Sequence, residues 1–225
     1  MSSIAERLHR VNERIQRAAL SANRDPNEIT LVCVSKRHPE SAILEAYDAG
    51  QRVFGENYVQ ELDRKAAALS HLPDLRWHMI GHLQTNKAKS IAKVAHTLHT
   101  LDSVALANEL AKRLGKERVL DVLIEVNVSG EPQKHGASPG ELEDILKGVE
   151  NVPALRLKGL MTVPPFGDLN EARRVFETLQ TLRQLHGGKG RLPDLSIGMS
   201  DDLEIAIACG ATMVRVGTAV FGARR

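Results

Sequence analysis

Leu31-Val32-Cys33-Val34-Ser35-Lys36 sets the reading of this chain. Val32, Cys33 and Val34 form a short apolar run without polar alternation, which reads as a strand covered on both faces, as in a parallel sheet. A lysine where such a strand stops sits at the rim of an active-site face, partly removed from water. Desolvation disfavours the ammonium and pulls its pKa below the reference of about 10.4. A partly neutral lysine can attack an aldehyde and form a Schiff base. A lone strand-end lysine is more often merely solvated, so the rest of the chain has to decide.

Working outward, Ile4, Leu8, Val11, Ile15 and Leu20 recur near a 3.6 period and predict an opening amphipathic helix that Asp25-Pro26 ends. Strands are then predicted over Ile29–Ser35, Arg52–Gly55, Leu75–Ile80, His96–Leu101, Val119–Val128, Leu155–Leu160, Asp194–Ile197 and Thr212–Val216. Helical patterns fill the gaps over Pro39–Ala49, Val59–Ala68, Gln84–Val94, Val104–Leu114, Glu141–Val149, Leu169–His186 and Asp202–Cys209. Strands alternating with helices imply parallel βαβ units, and eight of them at this length imply an α/β fold, a closed single-domain (β/α)8 TIM barrel over residues 1–225. Only Phe221-Gly222-Ala223-Arg224-Arg225 follows the last strand, too short for an eighth outer helix, so the N-terminal helix should cover that gap. A doubly wound open sheet is the structural alternative.

The 225 residues suffice for one large core, and 42% apolar with 26% charged residues is the make-up of an ordinary globule. A net charge of +2 leaves no basic footprint for nucleic acid, and Lys87, Lys89 and Lys93 fall at helical spacing as a solvated face. No segment is apolar over a bilayer's span, and Met1 to Arg7 has no signal-like run. Two cysteines, Cys33 and Cys209, read as buried thiols in a reducing compartment, so a cytoplasmic protein is expected. His78 and His82 lack a third ligand at a usable spacing, so no metal site is expected, and His71, His96 and His99 read as surface or packing residues.

Active sites of such barrels lie at the C-terminal ends of the strands. There the sequence places Ser35-Lys36, Gly55-Glu56-Asn57, Gly81-His82, Asp102-Ser103, Asn127 with Ser129, Met161-Thr162, Gly198-Met199-Ser200, and Arg215 with Gly217-Thr218. Loop chemistry favours such residues anyway, and Ser200 with Asp202 would make a good helix N-cap. Two features resist that explanation. Arg215 lies inside a strand covered on both faces and must be paired, because an unpaired buried charge costs several kcal/mol. Gly198-Met199-Ser200 and Gly217-Thr218 end the seventh and eighth strands, where this barrel class often binds phosphate on backbone N–H groups. A strand-end lysine, a buried arginine and a phosphate cradle together describe a phosphorylated aldehyde cofactor.

The same residues carry a resemblance. Val34-Ser35-Lys36, Phe54-Gly55-Glu56-Asn57-Tyr58-Val59-Gln60-Glu61 and Trp77-His78-Met79-Ile80-Gly81-His82-Leu83-Gln84-Thr85-Asn86-Lys87 are joined by Gly159-Leu160-Met161. Further on come Ser196-Ile197-Gly198-Met199-Ser200-Asp201-Asp202 and Val214-Arg215-Val216-Gly217-Thr218-Ala219-Val220-Phe221-Gly222. In this order they resemble the pyridoxal-phosphate homeostasis protein family, the YggS/PROSC type, on an alanine-racemase-like barrel. The resemblance implies pyridoxal 5′-phosphate (PLP) held as a Schiff base on Lys36, its phosphate on Ser200, Gly217 and Thr218, Arg215 facing the pyridine nitrogen, and Asn57 beside the ring. It leaves His82 at a variable position.

Arginine cannot accept the proton that a carboxylate would share with the pyridine nitrogen, so build-up of a carbanion on the ring is disfavoured. Racemisation usually needs a second acid/base opposite the lysine. Racemase-like enzymes, by the same resemblance, bring a tyrosine from an added domain and a partner subunit; here only Tyr47 and Tyr58 are present. The expectation is therefore a monomeric protein without catalytic residues that holds PLP and hands it on, with transient contact to apo PLP-dependent enzymes. An amino-acid racemase is the runner-up. A Schiff-base aldolase, with Glu56 as its acid/base, is a third reading.

Overall fold

The computed structural model describes residues 2–115, 118–131 and 133–222. Its helices and strands alternate as α1 (Ile4–Ser21), β1 (Thr30–Val34), α2 (Glu40–Asp48), β2 (Val53–Glu56), α3 (Val59–Ala68), β3 (Arg76–Met79), α4 (Ala88–Val94), β4 (Thr97–Leu101) and α5 (Val104–Leu114). The second half continues with β5 (Leu120–Glu125), α6 (Leu142–Glu150), β6 (Leu155–Met161), α7 (Leu169–Leu185), α8 (Gly188–Arg191), β7 (Asp194–Ser196), α9 (Leu203–Ala208), β8 (Met213–Val216) and α10 (Thr218–Phe221). The strands form one closed parallel barrel in chain order, β8 returning to β1 with Thr30 beside Met213 and Val32 beside Arg215. The expected (β/α)8 architecture is the one found.

Strand alternation sorts the side chains into two layers. Leu31 and Cys33 join the apolar layer beneath the helices, as do Trp77 and Met79. Val32 and Val34 turn the other way, and Gly55 brings the β2 backbone close to the Val32 side chain. On the outside, α1 starts with a capping box, Ser3 accepting from the Glu6 amide and Glu6 from the Ser3 amide. Its buried Ile4, Leu8, Val11, Ile15 and Ala19 lie one turn apart and pack on α9, α10 and α2. The first helix thereby fills the slot that one-turn α10 leaves open. Residues 223–225 of the stretch after the last strand lie outside the described residues.

Differences from the predicted elements are local. The fifth strand stops at Glu125 rather than Val128, because the Asn127 side-chain amide donates to the carbonyls of Glu131 and Lys134 and folds the chain into a loop. The expected helix from Gln84 begins as a 3₁₀ turn over Thr85–Lys87 and becomes α-helical at Ala88. One-turn α8 and α10 are too short to leave a periodic pattern.

Between β1, β2 and α3 lies a wholly buried charged group. The Lys65 ammonium donates to the Ser35 carbonyl (2.7 Å), Glu56 Oε1 (2.7 Å) and Glu61 Oε1 (2.8 Å), while the Ser35 hydroxyl donates to Glu56 Oε1 at 2.6 Å. Burial raises the Glu56 pKa, opposed by the bonds from Lys65 and Ser35. Removing one member of a buried pair leaves the other charge uncompensated, at a cost of about 3–5 kcal/mol. Lys65→Met should therefore lose stability on that scale in denaturant unfolding, and adding Glu56→Gln should recover much of it. Equal losses in single and double variants would mean that the aliphatic stem of Lys65, not its charge, is what matters.

Candidate functional site

Lys36 follows β1 in a tight turn that three hydrogen bonds fix. The His38 amide donates to the Ser35 carbonyl (3.0 Å), the Arg37 amide to Glu61 Oε1 (2.6 Å), and Lys65 reaches that same Ser35 carbonyl. Arg37 has φ +62°, a left-handed conformation that non-glycine residues adopt at some cost, and the hydrogen bond that its amide donates to Glu61 helps to hold it. Beyond the turn His38 stacks on Phe221, ring centres 5.0 Å apart.

Lys36, Asn57, Ser200, Arg215, Gly217 and Thr218 all line one cavity of about 490 Å³ at the C-terminal end of the barrel. Val34 lies at its floor, and Val163, Pro165 and Phe166 from the loop after β6 form one wall, Phe166 being almost fully exposed. The Asn57 Oδ1 atom is buried and has no partner among the described residues. Its backbone is held by close approach, because a Cβ on Gly81 would lie 2.2 Å from the Asn57 carbonyl oxygen.

On the β8 side of Lys36, the loops after β7 and β8 meet. Gly198 turns with φ +94°, and a Cβ there would lie 2.5 Å from that of Ala206. Asp202 accepts from the Met199 amide at 2.5 Å, whereas the Ser200 hydroxyl accepts from the Ala219 amide at 3.4 Å. Ser200 thus reaches across to α10 rather than capping its own helix, and Asp202 is the residue that closes the turn. Helix α1 grips both loops from behind. Arg14 donates to the Ser200 carbonyl (3.0 Å) while making a two-pronged pair with Glu204, and Arg7 donates to the Val220 carbonyl at 2.6 Å. First-turn amides of a helix have no partner within the helix and suit an anion.

Arg215 is paired, as a buried cation must be, but not with a carboxylate. Its Nη1 donates to the Ser196 carbonyl (2.6 Å) and hydroxyl (2.7 Å), and its Nη2 to the Thr162 carbonyl (3.0 Å). Burial pulls its pKa down to about 10, with Glu125 and Asp202 acting against the shift, so it stays cationic at neutral pH.

Sequence reasoning passed over several residues here. His99 is neither a surface residue nor packing filler: it is buried inside the barrel, hydrogen-bonded to Ser196 and His78. Glu56 belongs to the Lys65 pair instead of pointing a carboxylate into the cavity. Glu125, at the end of β5, has a sealed Oε2 atom with no partner among the described residues. Both histidine and glutamate fall at inward-facing positions of fully covered strands, the signal that could have found them. His82 stacks on His135 at 3.7 Å, near Asp102 and outside the cavity lining. Asn127 and Ser129 bond within their own loop with Glu131, and Ser103 caps α5. Tyr47 bonds to Asp74, and Tyr58 lies exposed beside Arg37; neither lines the cavity.

Comparison with known proteins matches residues 8–225 to the family described as alanine racemase, N-terminal domain. The pyridoxal phosphate homeostasis protein of Escherichia coli K12 is 46% identical over 231 residues, covering 100% of this chain and 98% of that protein. The chain belongs to the pyridoxal phosphate homeostasis protein family. Its Pseudomonas aeruginosa member is 45% identical over 100% of this chain and 97% of its own length. Among solved structures, PipY of Synechococcus elongatus with PLP bound superposes with a TM-score of 0.82 at 39% identity, over 98% of this chain and 100% of PipY. Alanine racemase from Corynebacterium glutamicum shares the barrel alone, with a TM-score of 0.67 at 17% identity over 93% of this chain and 59% of the racemase.

Glu125 gives the family's barrel here a pH signature. Burial pushes its carboxyl up to about 7 from an ordinary value of 4.5, Arg215 pulling it down and Asp102 pushing it up. The native state therefore holds a proton between these values that the unfolded chain has lost, and stability falls as pH rises through that window. In cofactor-free protein, Glu125→Gln should gain relative to wild type by about 2–3 kcal/mol between pH 4 and pH 8, read from urea midpoints. A difference independent of pH would show that Glu125 titrates normally.

Proposed function

We propose that the cavity binds pyridoxal 5′-phosphate and that this chain, as a single domain over residues 1–225, holds the cofactor and hands it on without efficient catalysis. The carrying observation is that a strand-end lysine, an arginine and two glycine-bearing loops line one cavity. Its volume, about 490 Å³, falls within the range of about 300–1,000 Å³ for small-molecule sites. The unsatisfied Asn57 Oδ1 and the close backbone turns at Gly198 and Gly217 fit a polar, phosphorylated ligand. The name of the relatives and the bound PLP of PipY support the same reading.

When bound, PLP supplies an aldehyde that condenses with a primary amine and a ring that can draw electrons from the attached carbon. Lys36 would supply the amine, and its pinned turn would hold it at one side of the cavity. Ser200, Gly217 and Thr218 would hold the phosphate through a hydroxyl and backbone amides. Asn57 would lie beside the ring. Arg215 would donate to the pyridine nitrogen and leave it without a proton, which restrains the ring as an electron sink. Among the described residues, the ionisable groups lining the cavity, besides Lys36 and Arg215, are His38 and three aspartates. Asp168 caps α7 and Asp202 closes the Met199 turn, so both carboxylates already hold backbone amides.

The proposed ligands all come from one chain, which supports a monomer as the working unit. Among the described residues no helix is long and apolar enough to cross a membrane. Cys33 and Cys209 are free and buried, and we place the protein in the reducing cytoplasm. Its partners on this reading are apo PLP-dependent enzymes met transiently, with no role for nucleic acid.

Incubation with PLP followed by borohydride should give a stable adduct that peptide mapping assigns to Lys36. A colourless protein, or an adduct elsewhere, would sink the reading. Arg215→Glu should stay folded and permit half-transamination with amino acids, seen as loss of the bound chromophore; an unfolded variant would make Arg215 structural only. The racemase reading is tested by α-proton exchange of L-amino acids in deuterated water. Formation of D-amino acid at about 1 s⁻¹ or faster, an ordinary enzymatic rate, would establish it.

A further inference from the structure

The barrel interior carries a chain of polar side chains that the proposed ligand set does not use. Arg215 Nη1 donates to Ser196 Oγ at 2.7 Å. Ser196 Oγ lies 2.8 Å from His99 Nδ1, His99 Nε2 lies 2.8 Å from His78 Nδ1, and His78 Nε2 lies 3.3 Å from Thr97 Oγ1. Ser196 is on β7 and His99 on β4, strands that are not neighbours, so this link crosses the barrel. All five residues are buried.

Chemistry fixes the direction of the first link, and one proton assignment at Ser196 sets the rest. A guanidinium only donates, so Ser196 Oγ is the acceptor in the first. The hydroxyl keeps one proton and a second lone pair; in the arrangement proposed here that proton goes to His99 Nδ1, which then accepts. A neutral imidazole with an accepting Nδ1 carries its proton on Nε2, so His99 donates to His78 Nδ1. By the same rule His78 donates from Nε2 to Thr97. Burial holds both rings neutral, His78 pushed down to about 3 and His99 well below the ordinary value.

We propose that Ser196, His99, His78 and Thr97 are positioning residues for Arg215, a one-way hydrogen-bond chain that turns an electron-rich atom toward the guanidinium at each link. The chain thereby stabilises the buried charge and fixes its aim while placing no carboxylate against it. The acceptors of Arg215 are indeed two carbonyls and a hydroxyl, with Glu125 and Asp202 acting only at longer range. A directly bonded carboxylate would cancel the positive charge on which an unprotonated ring nitrogen depends. The role toward the cofactor rests on the proposed function; the direction of the chain does not.

Two experiments separate these. In cofactor-free protein, ¹⁵N NMR of the imidazoles should show His78 and His99 as neutral rings protonated on Nε2. An Nδ1 proton or an imidazolium at His99 would overturn the proposal whether or not PLP binds. In PLP-loaded protein, His99→Leu should still form the Lys36 adduct, with a shifted absorption maximum and release of PLP about tenfold faster, the effect of losing one hydrogen bond that supports a buried charge. His99→Gln, which keeps one acceptor and one donor, should restore both. In an Arg215→Ala background His99→Leu should change neither. Should His99→Leu fail to fold, Ser196→Ala gives the same comparison, because it removes the hydroxyl link and keeps the carbonyl. A wild-type spectrum and release rate in the folded variant would overturn the proposal. If wild type takes up no PLP, the proposed function fails and the NMR result alone decides this inference.

Discussion

The Lys65 ammonium is the contact on which the lysine side of the cavity depends. One buried cation ties the end of β1, the end of β2 and the first turns of α3, through Ser35, Glu56 and Glu61. Glu61 then reaches back to the Arg37 amide, so both flanks of Lys36 are fixed from beneath. A hydrophobic filler could close the same gap with no desolvation cost, but it would not set the register between a turn and a helix. What the ion pair contributes is direction: three donors on one nitrogen, each with its own oxygen.

Arg215 meets the opposite problem, a charge that must remain uncancelled. Carbonyl oxygens and an oriented hydroxyl solvate it much as water would, without adding a formal charge. Lys65 and Arg215 thus use different counter-groups, carboxylates for the structural one and dipoles for the one that faces the cavity. That division is the electrostatic plan of the barrel's upper half.

The barrel itself was legible because its signal is repeated. Eight apolar runs alternate with helical periods, so an error of three residues at a boundary, as at Val128, changes nothing in the topology. That Lys36, Asn57, Ser200, Arg215, Gly217 and Thr218 would gather in one cavity was legible because they sit at strand ends, where loop position and residue type speak together. Lys65 was not, although Val59, Leu62, Lys65 and Leu69 share one buried helical face. A lysine there looks like a solvated interruption until its partners from other elements are known. His99 shows the same limit. Its inward position follows from alternation, but Ser196 is separated from it by 97 residues, and nothing local announces the pairing.

Helix α1 closes the barrel's outer ring and also holds the Ser200 and Val220 carbonyls, contacts that span 186 and 213 residues of chain. During synthesis Lys36 emerges long before the strands that complete the cavity. At about 5–20 residues per second, the interval from Lys36 to Gly217 is roughly 10–40 s. Through that interval the nascent chain carries Lys36 without the β7 and β8 loops that complete the cavity lining. On the proposed function, retention of a phosphorylated ligand therefore waits for β7 and β8, and a ribosome stalled before β8 would display the Lys36 turn without the loops proposed to hold the phosphate.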